Sequence, residues 1–207
     1  MKFEKLITLL TARKFPVFSL EELCTFYPQE KRATLKKCLL RWREKGWIER
    51  LRRGLYALAF PGNLNLPDLY LANKIYTPSY VSLETALSNY NIIPEVAIAV
   101  TSVTCKPTQR FKNQHGLFIY RTIQPRAFCG YQIEKHGGYD VLIAEPEKAL
   151  VDYLYLNTCH NTKFNLMAQR LDHKRISTMN HEKIQTYAKF YGINLQEILY
   201  ANLRRTH

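Results

Sequence analysis

Arg52, Arg53 and Gly54 stand together between two short apolar-rich runs, one opening at Trp47-Ile48 and the other running Leu55-Tyr56-Ala57-Leu58. Glycine supplies the positive φ that a tight hairpin turn often needs. Two guanidinium groups at such a tip are placed to meet backbone phosphates. Upstream, Gln29, Arg32, Lys36, Lys37 and Arg41 fall within one stretch of helical character. Of these, Gln29, Arg32 and Lys36 are the expected readers of base edges, while Lys37 and Arg41, with Arg52 and Arg53, suit phosphates. The chemistry these residues offer is recognition of a polyanion, not bond breaking.

A second group, Asp140, Glu145, Glu147 and Lys148, sits at a strand-to-helix junction. Some metal-dependent nucleases hold Mg²⁺ between a strand acid and an acid-x-Lys pair. That spacing is absent here: Lys148 follows Glu145 by three positions and Glu147 directly. Acids at a helix start are accounted for by the helix dipole, so a nuclease stands only as a third alternative. The chain has no Gly-rich phosphate loop and no Gly-x-Ser-x-Gly, and His115, His136, His160 and His173 are scattered through polar surroundings. Cys24, Cys38, Cys105, Cys129 and Cys159 lie far apart, without zinc spacing. The expectation is a non-enzyme with no metal and no cofactor.

The polyanion donors need a scaffold, and the first 60 residues supply one. Phe3, Leu6, Ile7 and Leu10 recur at helical spacing, which predicts a first helix over 2–12. Phe15-Pro16-Val17-Phe18 breaks it and is extended. Ser19-Leu20-Glu21-Glu22 has the capping-box spacing and opens a second helix through about Phe26. Tyr27-Pro28 turns into a third, expected from about Gln29 to Lys45, with Leu35, Cys38, Leu39 and Trp42 on one face and Gly46 as its stop. At 100° per residue, Gln29, Ala33, Lys36 and Lys37 point away from that face, with Arg32, Arg41 and Arg43 on the flanks. A helix of this kind followed by a hairpin with a cationic tip is the pattern of a winged helix-turn-helix, whose third helix enters the major groove of DNA.

Charge is distributed accordingly. The 207-residue chain carries 30 Lys and Arg against 17 Asp and Glu, net +13. Residues 1–60 hold 14 basic and 6 acidic side chains, residues 61–165 hold 9 and 8, and residues 166–207 hold 7 and 3. The basic excess therefore lies at the two ends, and a basic face steers association with nucleic acid. The short apolar run Leu6–Leu10 is too brief to span a membrane and precedes no cleavage site, so a cytoplasmic protein is expected.

Phe60-Pro61-Gly62-Asn63 reads as a boundary. The expected organisation is α+β: a winged helix-turn-helix over 1–62, then a mixed α/β domain over 63–207 with a small sheet and a helical tail. In the second domain, helices are expected over 67–75, from Ser82 as N-cap, and from Glu145-Pro146 to about Leu156. Strands are expected over Val96–Val103, Leu117–Ile123, Ala127–Glu134 and Tyr139–Ala144, with Lys106–Gly116 as a basic loop. Phe164–Arg205 reads as two or three helices, and the cations of this tail, among them Lys174, Arg175, Arg204 and Arg205, read as a solvated surface, with a hold on DNA or RNA as the alternative.

Four blocks in order resemble the signature of the AbiEi antitoxin family: Leu51-Arg52-Arg53-Gly54-Leu55-Tyr56-Ala57-Leu58, Pro78-Ser79-Tyr80-Val81-Ser82-Leu83-Glu84-Thr85-Ala86-Leu87, Val100-Thr101-Ser102-Val103-Thr104 and Ile143-Ala144-Glu145-Pro146-Glu147-Lys148-Ala149-Leu150. The resemblance implies a bacterial antitoxin of a toxin–antitoxin or abortive-infection operon. Its winged helix would bind inverted repeats in its own promoter, on double-stranded DNA, and repress transcription. Its second domain would counteract a cognate nucleotidyltransferase-like toxin, with or without a direct complex. The alternative is a winged-helix transcriptional regulator whose second domain binds a ligand or a protein.

Overall fold

The computed structural model describes residues 2–60, 66–94, 98–158 and 170–194. The chain divides into two units, Met1–Pro67 with Asn113–His115, and Asp68–Lys112 with Gly116–His207.

In the first unit, α1 (Phe3–Ala12) buries Phe3, Leu6 and Leu10, the stripe its spacing predicts. β1 (Val17–Ser19) leads directly into α2 (Leu20–Phe26). The junction is a complete capping box: the Ser19 N–H donates to Glu22 Oε2 at 2.6 Å, and the Glu22 N–H donates to Ser19 Oγ at 3.1 Å. Ser19→Ala removes one of these bonds and is expected to cost about 1 kcal/mol, measurable as a lowered urea midpoint at unchanged m-value.

α3 spans Arg32–Glu44, three residues shorter at its start than expected. The Glu30 N–H donates to the Tyr27 carbonyl at 3.0 Å, so Pro28 and Gln29 are spent on the turn between α2 and α3. Leu35, Cys38, Leu39 and Trp42 of α3 pack with Phe3, Leu6, Leu10, Phe18 and Leu23 into one core. Phe3 ties its ends together, with its ring 5.1 Å from that of Trp42 and stacked at 4.6 Å on that of Trp47.

β2 (Ile48–Arg52) and β3 (Leu55–Leu58) form the expected hairpin, and β1 adds to the far side of β3, giving an antiparallel sheet in the order β1-β3-β2. The turn is Arg53-Gly54, with Gly54 at φ +79°. The register shifts between Arg50 and Arg52, so Leu51 is an extra residue opposite β3, a bulge of the kind that twists a ribbon. Three helices in this order, with the strands and this hairpin, make a winged helix-turn-helix.

The second unit is built on a six-stranded mixed sheet in the order β6-β7-β5-β4-β9-β8. Its strands are β4 (Tyr80–Val81), β5 (Ala99–Thr104), β6 (Gln109–Asn113), β7 (Gly116–Thr122), β8 (Tyr131–His136) and β9 (Tyr139–Ala144). β5 and β7 run parallel over their lengths, while the two-residue β4 bridges antiparallel to β5 and parallel to β9. The described helices of this unit are α4 (Asp68–Ile75), α5 (Leu83–Asn89), α6 (Pro146–Thr158), α7 (His173–Ser177) and α8 (His181–Tyr191).

Two expectations change here. Lys106–Gly116 is not a plain loop but contains β6, an edge strand whose residues are mostly exposed, so it lacks the apolar alternation that would reveal it. Its single apolar residue, Phe111, packs its ring 5.7 Å from Tyr76 and 5.8 Å from Tyr120. Ala127–Glu134 is not one strand: Pro125–Ala127 is a 3₁₀ turn and β8 begins at Tyr131. Between them, Gly130 at φ +69° lies under the Tyr187 ring of α8, where a Cβ would come within 2.6 Å of the ring. Of the tail read as helical, α7 and α8 are described, and the parts of Phe164–Arg205 at 164–169 and 195–205 lie outside the described residues.

Candidate nucleic-acid interface

The winged helix leaves one face of α3 outside its core, and β2 and β3 stand beside that face. Between them is an open groove of about 640 Å³ whose cations are Arg32, Lys36 and Arg43 from α3 and Arg52 and Arg53 from the hairpin tip. Four of the sequence-predicted residues, Arg32, Lys36, Arg52 and Arg53, are thus brought together. Lys37 and Arg41 are exposed on α3 but do not line the groove, and Arg41 lies back along its own helix with Nη2 3.8 Å from Cys38 Sγ. Gln29 is exposed in the preceding turn, not on the helix. Arg43, which the sequence places only on a flank, joins the groove as well. The signal for it is its seven-residue spacing from Lys36, which sets the two on the same stripe two turns apart.

The groove's acid is Glu21 of α2, which binds Arg32 with Nη2 to Oε1 at 2.6 Å. The Arg32 hydrogen bond holds the Glu21 carboxyl below the usual carboxylate range. Both side chains are exposed, so the pair orients Arg32 more than it stabilises the fold. At the tip, Arg50 Nε donates to the Arg52 carbonyl at 3.3 Å and Arg52 Nη1 to the Arg53 carbonyl at 3.1 Å. These bonds brace the turn. Among the described residues, Lys36, Lys37, Arg43 and Arg53 have no ion-pair partner. A helix face and a hairpin tip carrying five cations against one acid can hold a phosphate backbone on one side while the helix faces base edges.

The acidic group of the second unit does not converge. Asp140 pairs with Lys135 at 2.5 Å, Glu145 accepts from Lys183 Nζ at 2.8 Å and from the Tyr187 hydroxyl at 2.9 Å, and Glu147 accepts from the Asn180 N–H at 3.1 Å. Burial pushes the Glu145 carboxyl up, but the bonds from Lys183 and Tyr187 outweigh it and hold the group below its ordinary value. Lys148 turns inward instead. Among the described residues no three His, Cys, Asp or Glu side chains gather as a metal site, and no helix is long and apolar enough to cross a membrane.

Lys148 leads to a network that sequence reasoning does not reveal. Lys148 and Asp152, one turn apart on α6, are both fully buried and ion-paired. Lys148 Nζ also donates to the Tyr191 hydroxyl of α8 at 3.1 Å, and that hydroxyl donates to Asp152 Oδ1. On the other side, Asp152 Oδ2 accepts from Ser82 Oγ at 2.8 Å and from the Tyr80 hydroxyl at 3.1 Å. Burial first, and the Asp152 charge second, push both tyrosine hydroxyls far above their ordinary range. Ser82 occupies the expected N-cap position of α5, but its side chain makes no cap bond because it is committed to Asp152. The spacing of Lys148 and Asp152 is visible in the sequence; that strand β4 and helix α8 complete the network is not.

Residues 5–59 match a family model described as transcriptional regulator, AbiEi antitoxin. The match runs from α1 to the end of the hairpin and so covers the winged helix. The blocks at 78–87, 100–104 and 143–150 lie outside the match. No curated protein matches the chain.

Proposed function

We propose that this chain is an antitoxin that represses its own operon in the cytoplasm. The winged helix, residues 1–62, binds paired repeats in the double-stranded DNA upstream of its gene, and residues 63–207 counteract a nucleotidyltransferase-like toxin. The observation that carries the DNA-binding half is the convergence of Arg32, Lys36 and Arg43 with Arg52 and Arg53 on one groove of the winged helix. In this reading Arg32 and Lys36 approach base edges, joined by Gln29 at the entry to the helix, while Lys37, Arg41, Arg52 and Arg53 hold phosphates. The toxin half rests on the family of the winged helix together with the three later sequence blocks.

The test is a footprint of the full chain on the DNA upstream of its gene, at two salt concentrations. Protection of a paired repeat that survives moderate salt is expected. Binding that is salt-sensitive and protects no fixed site would overturn autorepression. Glu21 offers a finer check, since it competes with the DNA for Arg32. Glu21→Gln is expected to raise DNA affinity by roughly two- to fivefold at low salt, read by titration against a labelled duplex, with the gain shrinking as salt rises.

A further inference from the structure

The exposed surface of α3 is not uniformly cationic. Taking 100° per residue from the innermost residue, Leu35, Arg32, Lys36 and Arg43 lie at about 60–100°, while Lys37 and Arg41 lie at about 200–240°. Between these two cationic rails lie Ala33 and Leu40, at about 160° and 140° and two turns apart, with the acidic Glu44 at about 180° only at the helix's last residue. Both are exposed, and Leu40 keeps 50% of its surface open although it is a large apolar side chain. It lines the groove beside Lys36 and Arg43. The fold gives no reason for a leucine there: it lies outside the core cluster that holds Leu35, Leu39 and Trp42, and Lys, Arg or Gln would serve the helix equally well.

With Arg32 and Lys36 over base edges and Lys37 and Arg41 toward a phosphate wall, the apolar pair between them lies over the floor of a major groove. The apolar group on that floor is the C5-methyl of thymine. We propose that Leu40, seated beside the small Ala33, reads a thymine methyl in the bound DNA and so sets sequence preference at one base pair of each repeat. The proposal rests on the DNA-binding reading above and adds to it the chemistry of one base contact.

The test uses the full chain and the duplex defined by footprinting. Each thymine of the protected repeat is replaced in turn by deoxyuracil, which removes the methyl group and leaves every hydrogen-bonding edge intact. The natural chain is expected to lose about fourfold in affinity at one thymine per repeat, the value of one buried methyl group. Leu40→Ala is expected to bind more weakly to the natural duplex and to be indifferent to deoxyuracil at that same position, with its salt dependence unchanged. Equal affinity of the natural chain for every deoxyuracil duplex overturns the proposal, as does a Leu40→Ala chain that keeps the full discrimination. A chain that protects no site at all fails at the earlier reading, and the two failures are therefore distinct.

Discussion

Lys148→Met is expected to destabilise the second unit by about 3–5 kcal/mol, the typical loss when one partner of a buried ion pair is removed. In a chain of this size that corresponds to a fall in Tm of about 10 °C, measured by calorimetry or circular dichroism. The size follows from the position of the pair. Neither side chain has any exposed surface, so Asp152 would be left charged in a low-dielectric interior with only hydroxyl donors from Ser82, Tyr80 and Tyr191. Two further variants separate a broken pair from a simple loss of volume. Replacing Lys148 by Met and Asp152 by Leu together removes both charges and is expected to recover only part of the loss: the buried charge is gone, but the hydroxyls of Ser82, Tyr80 and Tyr191 lose their acceptor. Tyr191→Phe deletes one hydroxyl and is expected to cost about 1–3 kcal/mol. A Lys148→Met chain as stable as the natural one would mean that the network contributes nothing to holding α6, β4 and α8 together.

This network also shows why the first unit is more legible in the sequence than the second. The winged helix is written in local signals: the Phe3, Leu6, Leu10 stripe, the Ser19–Glu22 box, and the Arg53-Gly54 turn between apolar runs, each within a few residues. The structure finds all of them where spacing places them. The start of α3 slips because Pro28 and Gln29 could serve a helix or a turn, and the Tyr27–Glu30 hydrogen bond decides for the turn. In the second unit the decisive contacts are distant. Ser82 meets Asp152 across 70 residues, and Lys148 meets Tyr191 across 43. No periodicity encodes such a meeting. β6 escapes for a different reason, since an exposed edge strand needs only one neighbour and carries little apolar pattern.

In the candidate site, the cations at the hairpin tip are legible because two arginines beside a turn glycine stand out, and removing them should have the largest effect on binding. Replacing Arg52 and Arg53 together by Ala is expected to lower the slope of log K against log salt by about 1.8, from about 0.9 for each phosphate left unneutralised. At 0.15 M salt the same relation gives a loss of affinity of roughly thirtyfold. The hairpin should survive, because its turn is set by Gly54 at φ +79° and its strands by the pairing of Arg50 with Tyr56 and Ile48 with Leu58. A matched pair far along the chain supplies the comparison. Lys174 and Arg175 lie on α7, both exposed, with Arg175 3.7 Å from Asp172. Replacing these two by Ala removes the same charge and is expected to leave the slope unchanged. If both double variants flatten the slope equally, the chain attracts DNA by its overall charge and the hairpin has no special place. If neither does, the hairpin tip is not on the DNA, and recognition would have to rest on α3 alone.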